Sequence, residues 1–184
     1  MNFKKIFSAV LALVLIFGIS FKTEAALVQV YDGGVRNFFK VFEIISKNKN
    51  VYFDEPDFYT HKGVKRCDVN FGDSSDSFVR FILNNDGSVS RILIRIPSDA
   101  SVSTGLDAGY ICGACLGTIG LNSQEYFSIW GRLSDDVSST LKNNPYASNF
   151  KKNYSAWCSK TNRYVAVEFE FDLSGGWYDI YAYK

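Results

Sequence analysis

Apolar and polar side chains alternate along several segments of the chain, which is the pattern of strands with one buried and one exposed face. Between residues 163 and 172, valine and phenylalanine occupy every second position from Val165 onward, and carboxylates lie between them from Glu168 onward. Asn85-Asp86-Gly87 and Ser174-Gly175-Gly176 have the composition of tight turns between paired strands. The segments predicted as strands are about 64–71, 77–84, 88–96, 153–159, 163–172 and 176–183.

Other segments have helical spacing. Apolar side chains recur at three- and four-residue intervals from Val35 to Ile45, which predicts a helix over about 34–47. A second helix is predicted over about 104–121, with Thr104 and Asp107 as a capping box. The same criteria predict a helix over 123–132 and a separate one, begun at Ser134, that continues to about 142. Residues 51–62 are predicted as a loop with room for a short edge strand.

This order of elements predicts an α+β fold, with a largely antiparallel sheet of about six strands and helices packed on one face. Each half begins with a helix and ends with a hairpin, so the chain also fits an αβββ-αβββ pseudo-repeat, with a single unrepeated unit as the alternative. Arg80, Arg91 and Arg95 lie on the polar face of one hairpin, and the carboxylates of 163–172 lie on the polar face of the other. If the hairpins are neighbours, these charges form a cross-strand ladder.

The N-terminal segment has the features of a cleavable signal peptide. Lys4 and Lys5 precede an uncharged apolar run, Ile6 to Phe21, and Thr23 and Ala25 supply small residues at the −3 and −1 positions of the cleavage site. We predict a signal peptide over residues 1–25 and a single α+β domain over 26–184, exported to the medium, the periplasm or the cell surface. An uncleaved membrane anchor is the alternative, but the run is shorter than the roughly 20 apolar residues of a spanning helix. After cleavage no stable membrane insertion is expected.

The charge balance excludes a strongly electrostatic partner. The whole chain has 20 basic and 19 acidic residues, and 47% of its residues are apolar. Removal of residues 1–25 leaves a near-neutral domain without the clustered basic surface that nucleic-acid binding requires. The sequence therefore predicts a domain with a well-filled apolar core and no nucleic-acid partner.

Cys112-Gly113-Ala114-Cys115 resembles the Cys-Gly-x-Cys redox pair of thioredoxin-like oxidoreductases. The resemblance covers four residues and implies a nucleophilic Cys112 and a resolving Cys115. That family places the pair after a strand and opposite a cis-proline, whereas here the pair lies inside a predicted helix without an equivalent proline. Thiol–disulfide exchange is therefore the alternative function rather than the preferred one.

Four cysteines in an exported protein predict two disulfide bonds, with three alternative pairings. We favour Cys67–Cys158 together with Cys112–Cys115, because Cys67 and Cys158 both lie on predicted strands. Four reduced thiols, as in an anaerobic source, are a further alternative. A four-thiolate zinc site is the other geometric alternative, but only one Cys-x-x-Cys pair is present. No metal and no cofactor are predicted.

Hydrolytic chemistry has two weak candidates in the sequence. His61 is the sole histidine and lies in a polar segment, so it offers no serine or cysteine triad. Glu168 and Glu170 lie two residues apart on one strand face, a spacing that resembles the carboxylate pair of glycosidases. An open strand face lacks the apolar pocket that raises the pKa of a catalytic acid, so we predict no hydrolase.

The last predicted strand carries the preferred candidate site. Trp177, Asp179, Tyr181 and Tyr183 share one face, which Asp179 marks as the exposed one. Exposed aromatic side chains on a rigid sheet stack on sugars or anchor a protein partner. We therefore predict a non-enzymatic domain that binds or inhibits a macromolecular or carbohydrate partner through a sheet face. The alternative is that the aromatic loop 51–62 covers this face as a second small core.

Overall fold

The computed structural model describes residues 27–74, 76–143 and 149–184. In this part of the chain three helices and nine strands alternate in groups. The helices are α1 (Arg36–Lys49), α2 (Val102–Ile119) and α3 (Ser123–Asn143). The strands are β1 (Leu27–Val28), β2 (Tyr31–Gly34), β3 (Asp57–His61), β4 (Val64–Asn70), β5 (Phe78–Leu83), β6 (Ser88–Pro97), β7 (Phe150–Cys158), β8 (Arg163–Asp172) and β9 (Gly175–Tyr183).

The strands form one antiparallel sheet with the order β3-β4-β5-β6-β9-β8-β7, and the short β1 and β2 pair with β9 and β6. This confirms the predicted α+β class and the six main strands, with β3 as the short edge strand. The αβββ-αβββ pseudo-repeat is not confirmed, because β3 has no counterpart beyond β7 and two helices, rather than one, precede β7. A common origin of the two halves stays a prediction.

All three helices pack on the same face of the sheet and enclose the core there. Phe38 and Phe42 of α1 pack against Phe81 of β5, and Trp130 of α3 packs on Tyr178 of β9. Every second residue of the central strands is fully buried on this side, including Val79, Phe81, Ile92, Ile94, Val165, Val167 and Ile180. The apolar side chains of each alternating strand therefore lie on the face that the helices cover.

The helix ends follow from local sequence. α1 ends where Asn50 adopts a left-handed conformation (φ 56°), and Lys47 and Lys49 in its last turn complement the helix dipole. α2 begins at Val102, two residues before the predicted start. Its N-cap is Ser101, whose hydroxyl accepts a hydrogen bond from the backbone N–H of Thr104. The expected Thr104–Asp107 capping box is therefore wrong.

α3 is one continuous helix, which corrects the prediction of two helices divided near Ser134. Asn122 and Glu125 form a reciprocal capping box at its start, with distances of 2.9 and 3.0 Å. The acidic run that resembled a second cap lies in the middle of the helix, where Asp136 accepts a hydrogen bond from the hydroxyl of Tyr154 in β7. Asp136 thus forms a tertiary contact with β7 and does not cap a helix.

The predicted signal peptide, residues 1–25, lies outside the described residues. Among the helices of the described part of the chain, none is both long enough and apolar enough to cross a membrane.

Candidate functional site

The sheet has a second face, which points away from all three helices. Strand register aligns its side chains in rows that cross the sheet, because paired residues point to the same side. One such row runs from Arg80 through Leu93 and Asp179 to Glu168. Within the described residues no helix packs on this open face. Its side chains therefore contact one another and solvent.

Ion pairs occupy the centre of the open face. Arg91 of β6 binds Asp179 of β9 through two hydrogen bonds, and Arg80 binds Asp68 at 2.7 Å. Asp179 is only 5% exposed, so the expectation that it marks a wet surface is wrong for this residue. The hydrogen bonds that Arg91 donates to Asp179 raise the pKa of Arg91. The predicted ladder joined the arginines to the carboxylates of 163–172; in the structure Arg91 pairs instead with Asp179 of β9.

Glu168 and Glu170 both contact Lys151 of β7 at 2.7 Å. These two bonds raise the pKa of the lysine above its ordinary value. The glutamates therefore belong to an exposed ion-pair cluster on an open surface. The arrangement has none of the apolar enclosure that a catalytic acid requires.

Four aromatic residues form a continuous cluster at one end of the open face, here called the aromatic platform: Trp157, Tyr164, Tyr181 and Tyr183. Tyr164 and Tyr183 are nearly parallel, with ring centres 5.4 Å apart and planes inclined by 13°. Trp157 meets Tyr164 edge to face at 5.1 Å, and Tyr181 lies 6.4 Å from Tyr183. The platform thus spans β7, β8 and β9.

A small residue under the platform determines how the tyrosines lie. Ala166 of β8 pairs with Tyr181 on one side and Ser155 on the other. Tyr183 donates a hydrogen bond to Ser155 at 2.9 Å, and Tyr181 accepts one from Asn153. Both rings must therefore cross β8 to reach β7, and Ala166, which is fully buried although it faces away from the helices, lies beneath them.

The platform retains substantial exposure. Trp157 is 43% and Tyr164 is 41% exposed, while Tyr181 and Tyr183 are half-buried by their contacts across β8. Burial is the main cause that raises the pKa of Tyr181, which keeps its hydroxyl protonated. The platform is thus a neutral, apolar surface with fixed hydroxyls at its margin.

The structure divides the four residues predicted as the binding site. Tyr181 and Tyr183 belong to the platform, whereas Asp179 is engaged by Arg91. Trp177 lies four residues before Tyr181, roughly 13 Å along the strand, and packs against the guanidinium of Arg95. The sequence analysis did not include Trp157 and Tyr164 in the candidate site. Both are aromatic residues in predicted strands, and this was the sequence signal that could have identified them.

The alternative in which loop 51–62 covers the aromatic face is wrong. Phe53 of this loop stacks on Phe42 of α1 at 4.9 Å, on the helix side of the sheet. The loop leads into β3, which is the edge strand at the opposite end of the sheet from β7. Three strands, β4, β5 and β6, separate β3 from β9.

The four cysteines are buried free thiols in the structure, so the predicted disulfides are not confirmed. Cys67 and Cys158 lie on β4 and β7, five strand spacings or roughly 24 Å apart, whereas a disulfide joins Cα atoms within about 7 Å. Burial raises the pKa of Cys112 and of Cys115. A redox nucleophile needs an accessible thiol of lowered pKa, and this pair has the opposite environment.

His61 is exposed on β3, and its neighbours suggest no metal site. Across residues 27–74, 76–143 and 149–184, no group of three or more histidine, cysteine, aspartate or glutamate side chains is placed to hold a metal ion. The aromatic platform is therefore the candidate binding site on the open face of the sheet.

Comparisons with protein-family models, with curated proteins and with solved structures found no match to this chain.

Proposed function

We propose that this protein is an exported, non-enzymatic domain that binds a neutral polysaccharide on the aromatic platform. The observation that carries the proposal is the near-parallel pair of Tyr164 and Tyr183, continued by Tyr181 across the buried Ala166. Aromatic faces held in this way stack on the apolar faces of sugar rings, and the neighbouring hydroxyl and amide groups bind sugar hydroxyls.

Preorganisation supports the proposal. The hydroxyls of Tyr181 and Tyr183 are already bonded to Asn153 and Ser155, so little side-chain entropy is lost when a ligand binds. The acidic groups beside the platform are already paired with Lys151 and Arg91, which favours an uncharged ligand. An open surface also suits an extended polymer better than a single sugar, because it encloses nothing.

Pull-down with insoluble polysaccharides, followed by calorimetry with soluble oligosaccharides of the captured type, tests this proposal. Trp157→Ala and Tyr164→Ala each remove an exposed platform ring. Because each loses a stacking surface, we expect each to weaken binding by about tenfold, which corresponds to about 1.4 kcal/mol. Tyr52→Ala is the matched control, because Tyr52 is 66% exposed and lies outside the platform.

Three results would contradict the proposal. One is the absence of binding to any neutral polysaccharide. Another is equal weakening by Tyr52→Ala. The third is capture of a protein, in place of a glycan, through Trp157 and Tyr164, which would assign the platform to a protein interface.

Export is a separate part of the proposal and is supported by the N-terminal pattern of Lys4, Lys5 and the apolar run that follows them. N-terminal sequencing of the protein from outside the cytoplasm should find Ala26 as the first residue. Recovery of the intact chain from the membrane fraction would contradict cleavage.

A further inference from the structure

The helix side of the sheet contains a groove that is separate from the aromatic platform. It has a volume of about 700 Å³ and lies between α2 and α3, above Phe169 of β8 and Tyr178 of β9. This volume is within the usual range of small-molecule sites. None of the described residues that line the groove carries a formal charge. Its chemistry is therefore that of a site for an apolar molecule.

The α2 wall of the groove is built from small and exposed apolar residues. Val102 is 85% and Leu106 is 60% exposed on this wall, although both are large apolar side chains. Between them lies Gly105, and a Cβ atom placed there would meet no atom within 4 Å. The groove is thus open at Gly105, and apolar surface on its wall is left in contact with water.

Two phenol hydroxyls point to the inner wall of the groove. Tyr178 is only 8% exposed, and its hydroxyl lies 4.0 Å from the position of a Cβ on Gly109. The hydroxyl of Tyr126 lies 2.7 Å from the corresponding position on Gly113. Neither hydroxyl forms a hydrogen bond within the described residues. Both tyrosines line the groove, so their hydroxyls are available to bond a polar atom of a ligand there.

Both phenols are held in their neutral form. Burial is the main cause that raises the pKa of Tyr178 and of Tyr126. They are therefore hydrogen-bond donors at ordinary pH, suited to a hydroxyl or carbonyl oxygen. Lys49 of α1 lies 4.9 Å from the ring centre of Tyr110, a residue of the groove wall.

We propose that the groove between α2 and α3 binds a neutral amphiphile with one long apolar chain and a hydroxyl or carbonyl head, the head bonded to Tyr178 and Tyr126. The uncharged lining excludes a ligand whose charge would be buried without a partner. The apolar chain then covers Leu106, Val102 and the open backbone at Gly105. This site is independent of the polysaccharide proposal, since it lies on the other side of the sheet.

Displacement of a neutral naphthylamine dye by hexadecanol, hexadecane and palmitate tests the site in the purified protein. Hexadecanol should displace the dye, and shorter alcohols should bind about fourfold more weakly for each methylene removed. Gly105→Leu fills the open position and should weaken hexadecanol binding by at least about tenfold. Gly117→Leu is the matched control on the same helix, because a side chain there also meets nothing within 4 Å and Gly117 does not line the groove.

A second variant tests whether the hydroxyl of Tyr178 binds the head group. Tyr178→Phe should weaken hexadecanol binding by about tenfold and leave hexadecane binding unchanged, which a merely structural role of Tyr178 would not separate. The proposal is overturned if no neutral amphiphile displaces the dye, or if Gly105→Leu and Gly117→Leu behave alike. Tighter binding of palmitate than of hexadecanol would indicate that Lys49 binds a charged head group, and would overturn the proposal of a neutral ligand. Self-association that Gly105→Leu abolishes would assign the groove to a second copy of the chain.

Discussion

The hydroxyl of Tyr183 in β9 donates a hydrogen bond to the hydroxyl of Ser155 in β7, although β8 lies between the two strands. The bond requires the tyrosine ring to lie across β8, and Ala166 is the small residue over which it passes. This relationship turns a row of separate aromatic side chains into one continuous cluster across β7, β8 and β9. The proposed polysaccharide site therefore depends on an alanine that never contacts the ligand.

Ala166→Leu tests that dependence. A larger side chain beneath Tyr181 and Tyr183 should lift both rings, lower the stability by about 1–3 kcal/mol through overpacking and weaken polysaccharide binding. Chemical denaturation and calorimetry measure the two effects. Ser155→Ala is the control, because it removes one hydrogen bond, worth about 1 kcal/mol, and leaves Ala166 in place. Unchanged ring packing and binding in Ala166→Leu would contradict the arrangement.

The buried thiols predict a specific response to alkali. Burial, followed by the charges of Asp68 and Asp57, raises the pKa of Cys67 from 9.0 to about 12. A raised folded-state pKa gives a stabilising contribution that is complete below the unfolded pKa and is lost as the pH rises through about 12. Stability measured by denaturation should fall over this range, and the fall should be smaller in Cys67→Ala.

The same burial predicts slow thiol chemistry. A thiol reagent should label the four cysteines of the native protein slowly and label all four at once after denaturation. Rapid labelling of Cys112 alone in the native protein would contradict the buried arrangement and support the redox alternative.

Asp136 predicts the response to acid. The hydrogen bond from Tyr154, followed by that from Lys152, lowers the pKa of this carboxyl below 3.8. A lowered folded-state pKa stabilises the protein above the unfolded value of about 4, and the contribution is lost as the pH falls through the folded value. Asp136→Asn should therefore flatten the acid limb of a stability–pH profile. Asp135→Asn, at an exposed neighbouring position, should leave that limb unchanged.

Gly175 begins β9 opposite Pro97 with a φ of 118°. A Cβ atom there would lie 2.2 Å from the carbonyl oxygen of Ile96, so Gly175→Ala combines backbone strain with a backbone clash. We expect a loss of more than about 3 kcal/mol in the free energy of unfolding. Gly63→Ala has positive φ but no neighbour within 4 Å, and should cost only about 1 kcal/mol. Equal effects of the two variants in thermal melts would contradict the clash.

The prediction of strands succeeded where local alternation was strong. The pattern over residues 163–172 reproduces β8, and the turn at Gly87, which has a φ of 85°, joins β5 to β6 as predicted. The prediction of helix ends failed where residues of cap-like composition form a tertiary contact instead of a cap. Ser134 and Asp136 have the composition of a helix cap, but the hydrogen bond from Tyr154 lets α3 continue through them.

The candidate site was predicted in part. Alternation placed Tyr181 and Tyr183 on one face, because side-chain direction in a strand depends only on parity. Trp157 and Tyr164 joined them through the pairing of β7 with β8 and of β8 with β9. That pairing brings together residues from different strands, and periodicity within one strand contains no information about it.

The amino-acid sequence by itself determined the α+β class, the main strands and the apolar half of each, because these depend on the period of the side chains and on local turn chemistry. The tertiary structure alone decided the strand order, and with it the distance between Cys67 and Cys158, the burial of Asp179 under Arg91 and the open face beside Ala166. These features depend on which strands become neighbours. Strand order is decided by the packing of the whole core, which no local pattern specifies.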